Sequence, residues 1–155
     1  MADQGIKDLV DRYIDLSFSV KKRASSLIQE QIGSDLTEDQ LYILRYIYRA
    51  GTCTSTQLAE YFDVQKSAIT AITTRMWDKG FIARKRDNKD RRVIYISLTE
   101  KGKDLYLLTE KRVHSLVETL IKKFDQEEIT RFIETYEKIN RVLFDLRDLQ
   151  VGESS

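Results

Sequence analysis

Not one of the 155 residues is proline. Proline breaks a helix interior more strongly than any other residue, and this chain carries long apolar runs at helical spacing, so it is expected to be predominantly helical. Ile6, Leu9, Tyr13, Leu16, Val20 and Leu27 keep intervals of three and four broken only at Arg23, which predicts a long amphipathic helix to about Ile32, ended by Gly33. Thr37 to Gln40 reads as a capping box, with Leu41, Leu44 and Ile47 behind it and Gly51 closing a packing helix. Thr54 to Gln57 offers a second box for a short helix whose inner face is Leu58, Ala59 and Phe62, with Asp63 and Val64 making a turn. Cys53, just before that cap, reads as a small buried hydrophobe or a short-strand residue.

The stretch from Gln65 to Arg92 carries the functional signal. Ile69, Ile72 and Met76, with Ala68 beside them, mark one buried stripe of a helix that Gly80 stops. Ser67, Thr70, Ala71 and Thr74 recur on the opposite face, all short enough for a groove floor to approach and, as hydroxyls, suited to base edges. Gln65, Lys66 and Arg75 flank that face, the two cations on stems long enough to reach phosphates. Phe81 to Arg86 and Val93 to Leu98 then read as two strands around a turn at Asp87 to Asp90. Arg91 and Arg92 straddle this turn, with Arg84 expected to face them across the hairpin and Asp90 near enough to brace the wing. Alternation along a strand lets one of the two arginines project while the other packs back toward Asp90 or the lobe. Arg86 and Lys89 complete the candidate set.

From Gln65 to Arg92 nine basic residues face three acidic ones, so a chain of net charge +1 holds a segment of +6 against −5 elsewhere. An amphipathic helix with a Ser/Thr-rich outer face and a charged edge hairpin are each common as plain solvent-facing structure. Their adjacency, behind a second short helix, favours a winged helix-turn-helix that binds double-stranded DNA. The rival reading is a winged-helix protein-docking module without a DNA target, which Trp77 alone keeps open, since docking faces more often expose aromatic or aliphatic anchors.

Beyond the hairpin, Thr99 can cap a helix of about seven turns carrying Leu105, Leu108, Val113, Leu116, Val117, Leu120, Ile121 and Phe124. Asp125 to Glu128 forms another box, and Ile129, Phe132, Tyr136, Ile139, Leu143 and Leu146 make a coiled-coil-like seam before a polar tail from Val151 to Ser155. The first and last helices are longer than a central lobe needs. Pairing their seams with a second copy favours a homodimer over an intramolecular helical hairpin, and twofold symmetry would present two reading heads to one pseudo-palindromic operator.

The run Gln57-Leu58-Ala59, Val64, Ser67-Ala68-Ile69-Thr70, Lys79-Gly80-Phe81-Ile82, Arg84, Asp90-Arg91-Arg92 and Ser97-Leu98-Thr99-Glu100-Lys101-Gly102 resembles the MarR family of bacterial transcription regulators. The resemblance implies a single domain over residues 1–155, mainly α with a small β-hairpin wing: a winged helix-turn-helix lobe at 37–99 flanked by dimerisation helices at 1–33 and 100–150. It also implies a homodimeric repressor, less often an activator, released by a small ligand or by oxidation. Ser67, Thr70 and Thr74 match the family's recognition helix, while Arg84, Asp90, Arg91 and Arg92 match its wing. The chain departs from the family twice: Gln65 stands where a small helix cap is usual, and no cysteine lies in the first helix, where peroxide-sensing members place theirs.

Other chemistries find little to work with. One histidine, His114, and one cysteine cannot assemble a His/Cys metal cluster within a subunit. No glycine-rich phosphate loop or nucleophile motif with a base beside it occurs, so neither an enzyme nor a cofactor is expected. Tyr13, Tyr42, Tyr46 and Tyr48 supply aromatic rings where the resemblance would put an effector pocket; core packing is the commoner use of each, and a pocket there would suit a small amphipathic aromatic ligand. With no signal-like start and no apolar run of membrane-spanning length, no membrane association is expected and the cytoplasm is the expected location.

Overall fold

The computed structural model describes residues 2–153. Its chain forms two compact units, one ending at His114 and the other beginning at Ser115. Helix α1 (Ala2–Ile32) is followed by α2 (Glu38–Ala50), β1 (Cys53–Thr54), α3 (Ser55–Phe62), α4 (Lys66–Asp78), β2 (Ile82–Arg86), β3 (Ile94–Leu98), α5 (Glu100–Ile121) and α6 (Gln126–Glu153).

The helix boundaries follow local chemistry. Thr37 and Thr54 each accept the amide of the residue three on, Gln40 and Gln57, whose side chains return a bond to the cap amide. These two of the three expected capping boxes are therefore complete, and each satisfies amides a helix start otherwise leaves open. At the end of α4, the Gly80 amide bonds the Trp77 carbonyl and the Phe81 amide bonds the Met76 carbonyl, a Schellman motif that needs the left-handed φ of 78° at Gly80. Asp63 supplies a left-handed residue, φ 58°, after α3, a conformation that aspartate tolerates better than most side chains.

The sheet has three antiparallel strands in the order β1-β3-β2, because Cys53 and Thr54 pair with Ile96 and Tyr95 on the far side of the hairpin. Leu41, Leu44 and Ile47 from α2, Leu58 from α3, Ile69 and Met76 from α4 and Ile96 from β3 are all buried within one cluster. Two expectations for α4 need correction. Ala68 is exposed and Ile72 half-buried, while Thr73 is the third buried position. The buried ridge runs 69, 73, 76, and Thr73 is tolerated there because its hydroxyl donates 2.8 Å to the Ile69 carbonyl, leaving no orphan donor.

Helix α5 is held to the lobe at its start. Thr99 accepts the Gly102 amide, donates 2.6 Å to the Gly80 carbonyl and sends its own amide to Phe81. Helix α5 stops at Ile121, short of the expected Phe124, whose amide instead closes a turn on the Ile121 carbonyl. In the second unit Asp125 accepts the Glu128 amide at 2.9 Å and opens α6, which runs to Glu153 where a tail from Val151 was expected. Gly152 weakens a helix without ending it, and residues 154–155 of the expected tail lie outside the described residues. Most of α1 leaves its apolar residues exposed, Ile6, Leu9, Tyr13, Leu16 and Phe18 among them, and only Ile28 and Ile32 join the core. No described residue of α6 is buried.

Candidate nucleic-acid interface

Helix α4 presents its outer face as its spacing demands. Lys66, Ser67, Thr70, Ala71 and Arg75 are exposed and Thr74 is half-buried. Gln65 occupies the N-cap position in extended backbone but makes no side-chain capping bond, which accords with its departure from the usual small cap. The hydroxyls of this face are committed differently. Thr70 donates 3.0 Å back to the Lys66 carbonyl, so its lone pairs are left to accept from outside. Thr74 instead accepts from the Arg84 guanidinium at 3.0 Å.

That contact gives Arg84 a partner on α4 that its spacing did not suggest. Arg84 pairs with Ile96 across the hairpin, well short of the turn, and its guanidinium sits 5.6 Å from the centre of the Trp77 ring. Its guanidinium therefore lies against α4, although it shares a cleft with Arg92. Register sets Arg86, opposite Ile94, nearer the tip than Arg84, and Arg86 donates 3.0 Å to the Arg91 carbonyl.

The wing tip is organised by Asp90. Its carboxylate accepts the Arg92 amide and Nε, each at 3.1 Å, and Nη2 at 3.3 Å. The Arg92 side chain, and then its amide, hold the Asp90 carboxyl below its ordinary range. Although fastened, the Arg92 side chain remains 92% exposed. Arg91 and Lys89 are exposed as well, and the Arg91 side chain makes no polar contact among the described residues. With both arginines in solvent, the expected division into one projecting and one packed-back arginine fails, because both lie in the turn before β3 begins at Ile94, where strand alternation does not hold.

Between α3, α4 and the sheet lies a cleft of about 370 Å³ lined by Ser55, Thr56, Lys66, Thr70, Arg84 and Arg92, among others. Four sequence-chosen residues thus meet at one place, with three positive charges and several hydroxyls. Ser67, Ala71, Arg75 and Lys89 stay exposed outside that lining. Ser55 and Thr56 were not in the candidate set, although the Thr54 capping box put them in the first turn of α3. Trp77, one turn beyond Thr74 on the same helix, was not in it either.

A second cavity of about 650 Å³ is lined by Tyr42, Arg45, Tyr46, Arg49, Tyr61 and Phe62, among others. Tyr46 stacks at a tilt on Tyr61, centroids 4.7 Å apart. Burial, then a bond to Glu38, raises the Tyr42 hydroxyl above its ordinary pKa, keeping it a donor. Of the other tyrosines expected there, Tyr48 packs on Tyr106 and Tyr13 is exposed on α1. Cys53 is buried in β1, where desolvation pushes its thiol up to about 11.

Residues 36–94 match the family model for the MarR family. The chain is 31% identical over 118 residues to the HTH-type transcriptional regulator YwhA of Bacillus subtilis, covering 76% of this chain and 85% of that one. It is 32% identical over 101 residues to the HTH-type transcriptional repressor MdtR of the same organism, covering 65% and 63%. Among solved structures, a MarR variant from Escherichia coli complexed with operator DNA shares the fold at a TM-score of 0.74 and 24% identity, over 84% of this chain and 97% of that one.

Proposed function

This chain belongs to the MarR family, whose members are transcription regulators and not enzymes, and from that premise we propose that it is a homodimeric repressor of a pseudo-palindromic operator. The observation that carries the reading is the convergence of Lys66, Thr70, Arg84 and Arg92 on one cleft beside the exposed face of α4. In it, α4 enters the major groove, Thr70 and Ser67 read base edges, Ala71 allows close approach, and Gln65, Lys66 and Arg75 fix the register on phosphates. Arg92, aimed by Asp90, reaches the minor groove, while Arg86, Lys89 and Arg91 support and charge the wing.

The whole chain acts in this reading as one MarR-type domain, residues 37–99 binding DNA and residues 1–33 and 100–150 joining two copies. Support for the second part is the apolar surface left bare on α1, distal α5 and α6, far more than a monomer usually exposes. The names of MdtR, a repressor, and of the MarR variant crystallised with operator DNA support repression at an operator. Release by a small molecule is supported by the cavity at Tyr42, Tyr46 and Tyr61, whose rings and two arginines suit a small amphipathic aromatic effector. No helix among the described residues is long and apolar enough to cross a membrane, and a DNA target sets the protein in the cytoplasm.

The docking-module reading needs apolar anchors on this face. Trp77 is the one at hand, and Arg84 stands over its ring. Selection of bound duplexes from a random pool decides between the two. A palindromic consensus with half-sites about 10 base pairs apart, or a multiple of that, is expected. Failure to enrich any sequence would remove the reading.

A further inference from the structure

Trp77 is the sole tryptophan of the chain, and half of its surface is left in solvent on the helix that carries the candidate reading face. An aromatic ring so placed forfeits much of its burial, so its position calls for another use. The Arg84 guanidinium, carried on β2, lies 5.6 Å from its centre and simultaneously donates 3.0 Å to the Thr74 hydroxyl one turn earlier on α4. Two elements, the wing strand and the helix, are thereby tied through a single cation.

We propose that Trp77 and Thr74 are positioning residues that hold Arg84 against the flank of α4, ready to take a backbone phosphate where the strand passes between helix and wing. The proposal rests on the DNA-binding reading above and adds a part to it. A guanidinium has five N–H donors and two faces. Thr74 uses one donor and Trp77 covers one face, and the remaining donors stay open toward the cleft that Arg84 shares with Lys66 and Arg92. Among the described residues Arg84 has no carboxylate partner, whereas Arg92 has Asp90. The charge of Arg84 is therefore uncompensated, as suits an anion supplied from outside. Because it lies beside the row of Ser67, Thr70 and Ala71 and not on it, its partner is the phosphate bordering the groove and not a base edge. Holding the long side chain in one arrangement beforehand removes an ordering cost from binding.

Two measurements on the full chain test this. In the free protein, Trp77 is the only tryptophan fluorophore, and Arg84→Ala should raise its quenching by acrylamide while leaving the helical circular dichroism unchanged. An unaltered quenching constant would show that the guanidinium does not cover the ring and would overturn the proposal without any DNA present. On the operator obtained by selection, Trp77→Leu should weaken binding about two- to five-fold, the range of an exposed cation–π contact, and Trp77→Phe should lose less. Arg84→Ala should weaken all sequences alike and lower the salt slope by about one per subunit. In the Arg84→Ala background, Trp77→Leu should then cost nothing more. An equal loss from Trp77→Leu in both backgrounds, or a changed consensus in Arg84→Ala, would refute the positioning role, although the wild type still binds its operator. A wild type that binds no duplex would instead sink the DNA-binding reading itself, and with it the purpose assigned to the contact.

Discussion

Thr70 and Thr74 stand one turn apart on α4 yet commit their hydroxyls to different tasks, and the difference separates their expected phenotypes. Thr70 gives its proton to the Lys66 carbonyl and keeps acceptor lone pairs outward. Thr70→Val keeps the shape and removes that acceptor, so repeated duplex selection should show relaxed preference at one position of each half-site, a loss of about 1 to 3 kcal/mol there. Lys66→Ala should weaken every sequence alike; a shared altered consensus would mean the two faces are wrongly assigned. At the wing, Arg92 combines full exposure with a fixed direction through Asp90. Arg92→Ala should therefore cost affinity with little change of preferred bases, and lower the salt slope by about one per subunit, whereas Asp90→Ala should act more mildly by freeing the arginine. Titration across a salt series with an unchanged slope for Arg92→Ala would exclude it from phosphate or groove contact. Cys53 presents the opposite situation, since burial raises its thiol to about 11 and disfavours the reactive thiolate at neutral pH. The native protein should resist a thiol-specific disulfide reagent until denatured; rapid labelling of the folded state would contradict this.

At the scale of elements, the joint between α4, β2 and α5 is closely packed. A Cβ on Gly102 would collide with the Phe81 carbonyl oxygen, backbone that cannot swing aside, and Thr99 ties the same turn to α5 through Gly80. Gly102→Ala should lower stability to urea by about 1 to 3 kcal/mol, the usual cost of overpacking, despite alanine's better helix propensity. An unchanged or raised midpoint would show that α5 shifts freely at its start. The joint also explains why Leu98-Thr99-Glu100-Lys101-Gly102 is so recognisable in the sequence: Thr99 bonds Gly102 and the Gly80 carbonyl, Lys101 lies over the Phe81 ring and bonds the Lys79 carbonyl, and Gly102 admits the chain crossing beneath.

At the scale of the molecule, the apolar seams of α1 and α6 are left exposed in one copy among the described residues. Phe132 stacks on Tyr136 in α6, both more than half exposed, and Leu143 and Leu146 continue the row. Burying such rows against a second copy would contribute about 25 cal/mol for each Å² of apolar surface covered. Replacing Tyr136 and Ile139 together by glutamate should shift sedimentation from dimer to monomer and abolish tight binding to a full operator. A wild-type protein that sediments as a monomer at micromolar concentration, yet binds the full site tightly, would refute the dimer.

Local chemistry alone determined the helices, their caps and the exposed row on α4, because the apolar period of a helix and the donor three residues after a threonine are properties of neighbouring residues. Thus the capping boxes at Thr37 and Thr54, the Gly80 stop, the hairpin and the resemblance carried by Asp90-Arg91-Arg92 were legible in the sequence. Tertiary structure decided what spacing cannot encode. Thr73 took a core position assigned to Ile72 because a hydroxyl satisfied by its own helix may be buried. Cys53 and Thr54 became a third strand through pairing with Ile96 and Tyr95, more than forty residues away. Arg84 found Thr74 and Trp77 on α4 because strand register and packing, not sequence distance from the turn, set which side chains meet. The cleft itself exists only where α3, α4 and the sheet pack, and a long flexible cation chooses its partner from whatever that packing brings within reach.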